Sequence, residues 1–344
     1  MSLPTSSDPA ASFHDALFLA KDRAWSLGVA SDRSFDLAGY HVSCHFADSA
    51  MPGLILPALA HHPAANSERS GLDVYVWDGK ASGVTVPDAP WATSKDNAWQ
   101  CDTPRYFGLY LPTLNSLLWL DRELNRAIYW TPDASQMPIA ERGSPLLLLW
   151  GAWLSGLGVH LVHAAAVSGI RGAALLLGPS GSGKSTTALS CLDSPLQYLG
   201  DDYCLIRADP EPTVFSLYCS GKIHRGDRDF HPHLEPAYAG ENEEKILYQA
   251  VPTLQLKLAQ RAKIVALFAV TVGEVESPRI ERISAMQALT AVAPNTVLQL
   301  RVGIDSRHTL KSISAIAQQT PCYSLYLGLD RKENVNLLTE FLAR

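Results

Sequence analysis

The sequence predicts an α/β protein whose core is built on a phosphate-binding loop, preceded by a smaller β-rich domain. Three observations carry that prediction. The run Gly178-Pro179-Ser180-Gly181-Ser182-Gly183-Lys184-Ser185-Thr186 satisfies the G-x-x-x-x-G-K-[ST] pattern. It is preceded by an apolar run, Ala173 to Leu177, that reads as a buried strand, and followed by Ser185 to Leu192, which lacks Gly and Pro and reads as a helix. Beyond it, strand-like and helix-like stretches alternate, the signature of an α/β layer.

The residue types of the loop follow from its task. Gly178, Gly181 and Gly183 let the backbone turn tightly and approach phosphate without a Cβ in the way. The loop N–H groups, those of Ser180 and Ser182 among them, then face the anion. Lys184 would reach the β- and γ-phosphates, Ser185 would meet Mg²⁺, and Thr186 completes the set of ATP-binding positions.

Composition narrows the class. The chain has 344 residues, 47% hydrophobic and 18% charged, which is globular and long enough for two modest domains. Net charge is −6 and no basic run could track a polynucleotide, so no nucleic-acid partner is expected. Six cysteines stand without C-x-x-C spacing, as reduced thiols of a cytoplasmic protein do. Met1 to Ser12 is small and polar, unlike a signal peptide, and reads as a tail. Ser144 to Ile170 carries no Asp, Glu, Lys or Arg. Gly151, Gly156 and Gly158 interrupt it, so a buried helix followed by a buried strand is expected rather than a transmembrane span, with peripheral contact to a membrane left open.

Taken in order, residues 13–138 read mostly as strands: Phe35 to Val42, Leu72 to Trp77 ending at the hairpin dipeptide Asp78-Gly79, Tyr106 to Leu111, Ser116 to Trp119, and Arg126 to Trp130 returning antiparallel. A boundary is expected at Gly143-Ser144-Pro145, separating a β-rich domain, 1–143, from the nucleotide-binding domain, 144–344. Ser144 would cap a helix from Leu146 to Leu157 with Pro145 at its first position. Leu161 to Val167 reads as one strand. After the loop helix come Leu196 to Leu199, Tyr203 to Ile206 and Thr213 to Tyr218 as strands. Ser220 to Glu244 is the most polar segment and reads as a loop, carrying Lys222, His224, Arg225, Arg228, His231 and His233. Ile264 to Val272 is a strand and Ser284 to Val292 a helix. Val297 to Val302, Leu310 to Ala317, Tyr323 to Leu327 and Val335 to Leu342 then alternate.

Two further features carry chemistry. Asp201-Asp202 ends a hydrophobic run, as a metal-holding carboxylate does. Adjacent acids allow Asp202 to serve Mg²⁺ with Ser185 while Asp201, its pKa raised by its neighbour, takes the proton of an acceptor hydroxyl. His163 lies in the strand expected beside the loop strand, where it could orient Asp201 by a hydrogen bond. Lys222, Arg225 and Arg228 could contact the transferring phosphoryl group or a charged acceptor.

Together, His163-Ala164-Ala165-Ala166-Val167, the loop, and Leu199-Gly200-Asp201-Asp202 resemble the HPr kinase/phosphorylase family, whose ATP-binding core is related to that of phosphoenolpyruvate carboxykinase. The resemblance covers about Gly158 to Ile206. It implies an α/β kinase core that uses ATP and Mg²⁺ to phosphorylate a hydroxyl, with Asp201 paired to His163 as base, Ser185 and Asp202 on the metal, and association into oligomers. The family's later signature, an acidic residue followed by Arg-Gly, is replaced by Lys222-Ile223-His224-Arg225-Gly226-Asp227-Arg228. The chain looks more like divergent relatives that phosphorylate a peptide serine, a sphingoid-type lipid or another small-molecule hydroxyl. The alternative is an NTPase or nucleotide-sensing module without an acceptor.

Overall fold

The structure is a computed structural model that describes residues 8–27, 31–65, 71–230, 234, 236–238, 244–249, 254–291 and 306–344. Packing divides the chain into two units, Met1–Leu56 with Pro63–Leu149, and Pro57–His62 with Trp150–Arg344.

In the first unit, residues 9–12 of the expected tail instead begin α1 (Pro9–Leu27), and residues 1–7 of it lie outside the described residues. Ala10, Phe13, Leu17, Ala20 and Ala24 are buried at helical spacing, and Asp8 accepts from the Ala10 N–H at 3.0 Å at its start. The seven strands described here are β1 (Ser31–Leu37), β2 (Tyr40–Phe46), β3 (Leu72–Asp78), β4 (Trp99–Asp102), β5 (Tyr106–Leu111), β6 (Ser116–Asp121) and β7 (Arg126–Thr131). They form one sheet in the order β1-β2-β3-β7-β6-β5-β4. β3 is parallel to both β2 and β7; the other pairs are antiparallel.

Two local expectations fail here for stated reasons. The run 35–42 is a hairpin, because Ala38 and Gly39 both take positive φ (52° and 87°), the geometry of a two-residue turn. Asp78-Gly79 does not return the chain antiparallel. Asp78 instead accepts from the Lys80 N–H at 2.8 Å and starts α3 (Gly79–Ser82), since β3 has parallel neighbours. The core joins α1 to the sheet through Phe13, Leu17, Trp77, Trp99, Trp119 and Ile128. Trp119 Nε1 donates to His14 Nδ1 at 3.1 Å. Its ring lies over Gly108, where any Cβ would overlap it.

The predicted cap at Ser144 is also replaced. After α2 (Met51–Leu59) and α4 (Ile139–Gly143), α5 spans Leu147–Ser155. Leu146 has φ of 61°, outside the helix, and its N–H donates to Glu141 Oε1 at 3.1 Å. The charge-free stretch is thus α5, a turn at Gly158 (φ 73°), and two short strands. Among the described residues no helix is long and apolar enough to cross a membrane.

The second unit holds β8 (His160–Val162), β9 (Ala165–Gly169), β10 (Gly172–Leu177), α6 (Lys184–Ser190), β11 (Gln197–Gly200), β12 (Cys204–Arg207) and β13 (Thr213–Ser216). Then come β14 (Ser220–His224), β15 (Pro236–Tyr238), β16 (Lys245–Gln249), β17 (Arg261–Val275), β18 (Arg279–Ile283), α7 (285–291), α8 (Ser306–Gln319), β19 (Cys322–Gly328) and α9 (Arg331–Ala343). The expected strand 297–302 lies outside the described residues.

The main sheet runs β11-β9-β10-β17-β13-β12-β8, with β19 also paired to β17 and β18 to β19. β10, β17 and β19 are parallel. Along β10, Ala174 and Leu176 enter one apolar core, while Ala173, Leu175 and Leu177 enter the other. Both faces are covered, which is why the run is continuously apolar rather than alternating. Leu161 to Val167 is not one strand: β8 pairs with β12 while β9 pairs with β10 and β11. His163 and Ala164 lie where the chain changes partners. Ser220 to Glu244 is not simply a loop either, because β14 joins β16 and β15 in a small separate sheet.

Candidate active site

β10 delivers the glycine loop and α6 leaves it. Gly178 has φ of 149°, and a Cβ there would come within 2.8 Å of both the Val270 carbonyl oxygen and Ser182 Oγ. At Gly183 (φ 89°) a Cβ would strike Leu327. Gly181 differs, because a Cβ there would meet nothing within 4 Å, so the loop is open on that side. The Lys184 ammonium is buried and folds back onto its own loop, donating to the carbonyls of Gly178 at 2.8 Å and Pro179 at 2.9 Å. Burial lowers its pKa, partly offset by Asp202 and Asp201.

The loop floors a cleft of about 600 Å³. Of the positions singled out from sequence, it is lined by His163, Ser180, Gly181, Gly183, Lys184, Ser185, Thr186, Asp202, Lys222 and His224. Gly178, Ser182 and Asp201 do not line the cleft, and Ser182 Oγ is buried with no hydrogen-bond partner among the described residues. Arg225 and Arg228 are exposed on the turn after β14 and do not line it. His231 and His233 lie outside the described residues.

The two acids sit in the turn that follows β11, and their environments pull them apart. Asp201 is buried beside the Lys222 backbone N–H and the Tyr198 hydroxyl, which also donates to the Ser220 carbonyl at 3.2 Å. Burial, then the neighbouring Asp202 charge, pushes its carboxyl well above the usual range. Its Oδ2 has no hydrogen-bond partner. Burial, the largest single influence, acts on Asp202 in the same direction, but the Lys222 ammonium, 3.2 Å from Oδ2, acts together with His163 and Lys245 to hold this carboxyl low. One acid is thus disposed to carry a proton and the other to stay ionised.

His163 is buried with its ring edge-to-face on Tyr203, the centroids 5.5 Å apart. Burial first, then the Lys184 charge, pushes its pKa down to about 4, with Asp202 opposing. No described hydrogen bond joins it to Asp201, and its Nδ1 is buried without a partner. The ring lines the cleft under the charges of Asp202 and Lys184, and the expected hydrogen bond to Asp201 is not seen among the described residues.

No family model matches this chain, and no curated protein does. Among solved structures, the chain is similar to the Hpr(Ser) kinase/phosphatase from Coxiella burnetii. Identity is 13%, over 54% of this chain and 94% of that one, with a TM-score of 0.29. The functional reading therefore stands on the cleft's own residues.

The sequence alone assigned no role to Lys245, Tyr198, Arg331 or Asn334. Lys245, on β16, lines the cleft and bears electrostatically on His163, Lys184 and Asp202. β14 and β16 pair with His224 opposite Lys245, so the small sheet brings two lysines distant in sequence to one wall. A β-pairing register between segments of such polarity has no local sequence signal.

Proposed function

We propose that this chain is an ATP- and Mg²⁺-dependent phosphotransferase acting on an acceptor hydroxyl: a peptide serine, a sphingoid-type lipid or another small molecule. The observation that supports it best is the meeting, in one cleft, of the loop lysine, Ser185 and Asp202, with the buried Asp201 next to it in the chain and driven in the opposite direction. Hydrolysis alone needs a positioned water; the buried, proton-holding Asp201 suits a hydroxyl donor better.

The residues fit a divalent cation of the magnesium type. Ser185 and Asp202 line the cleft, and such an ion takes one or two protein oxygens and completes its shell with water and phosphate. Among the described residues no group of three or more His, Cys, Asp or Glu is placed to hold a metal ion. When bound, the ion would neutralise phosphate charge. The chain's own part follows from its charges. Lys184 would leave its loop carbonyls for the β- and γ-phosphates. Lys222 would hold Asp202 in place, and Lys245 would face the transferring group. The acceptor oxygen would bond to the γ-phosphorus as the bond to the bridging oxygen breaks. ADP would leave, and the hydroxyl proton would pass to the ionised form of Asp201.

The test is a mass-spectrometric screen of the protein with ATP, Mg²⁺ and separate peptide and lipid pools. One species gaining a single phosphate in step with ADP is the expected result. ADP formation with no phosphorylated acceptor in any pool would replace this reading with the NTPase one.

A further inference from the structure

Beside the phosphate-handling residues, one wall of the cleft has a different character. β10, β17 and β19 run parallel, so their C-terminal ends lie along one edge. Ligands of open α/β sheets sit at that edge. The glycine loop leaves β10 there, and the chain leaves β19 through Gly328, Leu329 and Asp330 into α9. The two sites are contiguous, because Gly183 packs against Leu327 and, at 3.3 Å from its would-be Cβ, Val272. Val272 and Leu329 line the cleft although 58% and 83% exposed, with Arg331 of the first α9 turn beside them.

The backbone of this corner is held firmly. Buried Asn334 donates to the Gly328 carbonyl at 3.0 Å and accepts from the Gly328 N–H at 2.8 Å. Asp330 accepts from the Lys332 N–H at 2.7 Å. A fixed corner carrying exposed apolar side chains and a guanidinium has the chemistry to receive a flat, partly apolar ring system attached to a polyanion.

We propose that this wall seats the nucleoside end of the triphosphate, the base lying across Val272 and Leu329 beside the Arg331 guanidinium, and that it takes adenine and guanine nucleotides about equally. The inference rests on the cleft being a triphosphate site and adds where the base lies and how it is chosen. Strong base selection needs a side chain that hydrogen-bonds the base edge, since only an unpaired polar group rejects the wrong ring steeply. Among the described residues of this wall, the buried Asn334 amide is pinned to Gly328 at both ends, the leucines and valine offer no side-chain donor or acceptor, and a guanidinium stacked on the ring face holds its N–H donors parallel to the base and away from its edge. A guanidinium attracts the face of either purine.

Calorimetric titration of the full chain, with Mg²⁺, against ATP, GTP and inorganic tripolyphosphate tests this. ATP and GTP should bind within about threefold of each other and both about tenfold tighter than tripolyphosphate, the scale of one cation–π contact with apolar burial. Arg331→Ala and Leu329→Ala should each weaken ATP and GTP by about fivefold and leave tripolyphosphate unchanged, which also shows that the variants are folded. Equal affinity of the wild type for ATP and tripolyphosphate, or unchanged ATP binding in both variants, would overturn the site. GTP weaker than ATP by more than about thirtyfold would overturn the selectivity, because it requires a base-reading hydrogen bond. Failure of all three ligands to bind would instead strike the phosphate-loop reading, and this inference with it.

Discussion

Lowering the pH should destabilise the second unit through His163, and replacing that histidine should remove the effect. The ring is buried and its pKa lies at about 4 against 6.5 for an ordinary histidine. Because the folded value is the lower one, the unfolded chain binds a proton that the folded protein refuses between these limits. Stability is therefore whole above about pH 6.5 and is lost as pH falls toward 4. At about 1.36 kcal/mol per pH unit, the full loss is about 3 kcal/mol, and at pH 5 about 2 kcal/mol has gone. His14 and His61 are also buried with lowered pKa values and add acid sensitivity of their own. The informative quantity is accordingly the difference between wild type and His163→Gln. Urea unfolding followed by circular dichroism at pH 7.5 and 5 should show the wild type losing about 2 kcal/mol more than the variant. Parallel losses, within about 0.5 kcal/mol, would mean that the ring is hydrated or paired in solution and that its placement in the cleft is wrong.

Other outcomes follow from the same geometry. Asp201→Asn should keep ATP binding but lower transfer by about a hundredfold or more, and radiolabelled transfer at wild-type rate would contradict its role as base. In the wild type, transfer should rise with pH as Asp201 loses the proton its raised pKa retains, and the variant's residual rate should be flat across that rise. Lys184→Ala should abolish both transfer and productive ATP binding, and unchanged kinetics would refute the loop assignment. Asn334→Ala should cost about 2 kcal/mol through two lost bonds to Gly328, read as a lower melting temperature, and a change under about 0.5 kcal/mol would show that the corner is not held this way.

Sequence by itself determined the features that are local in the chain. The glycine loop was legible because positive φ at Gly178, Gly181 and Gly183 needs glycine. The strand β10 before it was legible because burial on both faces makes its run continuously apolar, and the helices near the C-terminus because burial of one face imposes a helical period. The helix α1 carried the same kind of signal at Phe13, Leu17 and Ala24, overlooked beside a polar start. Only the tertiary structure decided what depends on distant pairing. The partner change from β8 to β9 falls at His163, which lines the cleft. The register of β14 on β16 puts Lys222 and Lys245 around the acids and leaves Arg225 and Arg228 outside. Burial, which no single residue encodes, raises both carboxyls, and the cations that distant pairing gathers around Asp202 pull that one back down: a carboxylate's environment is made by whatever long-range contacts close over it.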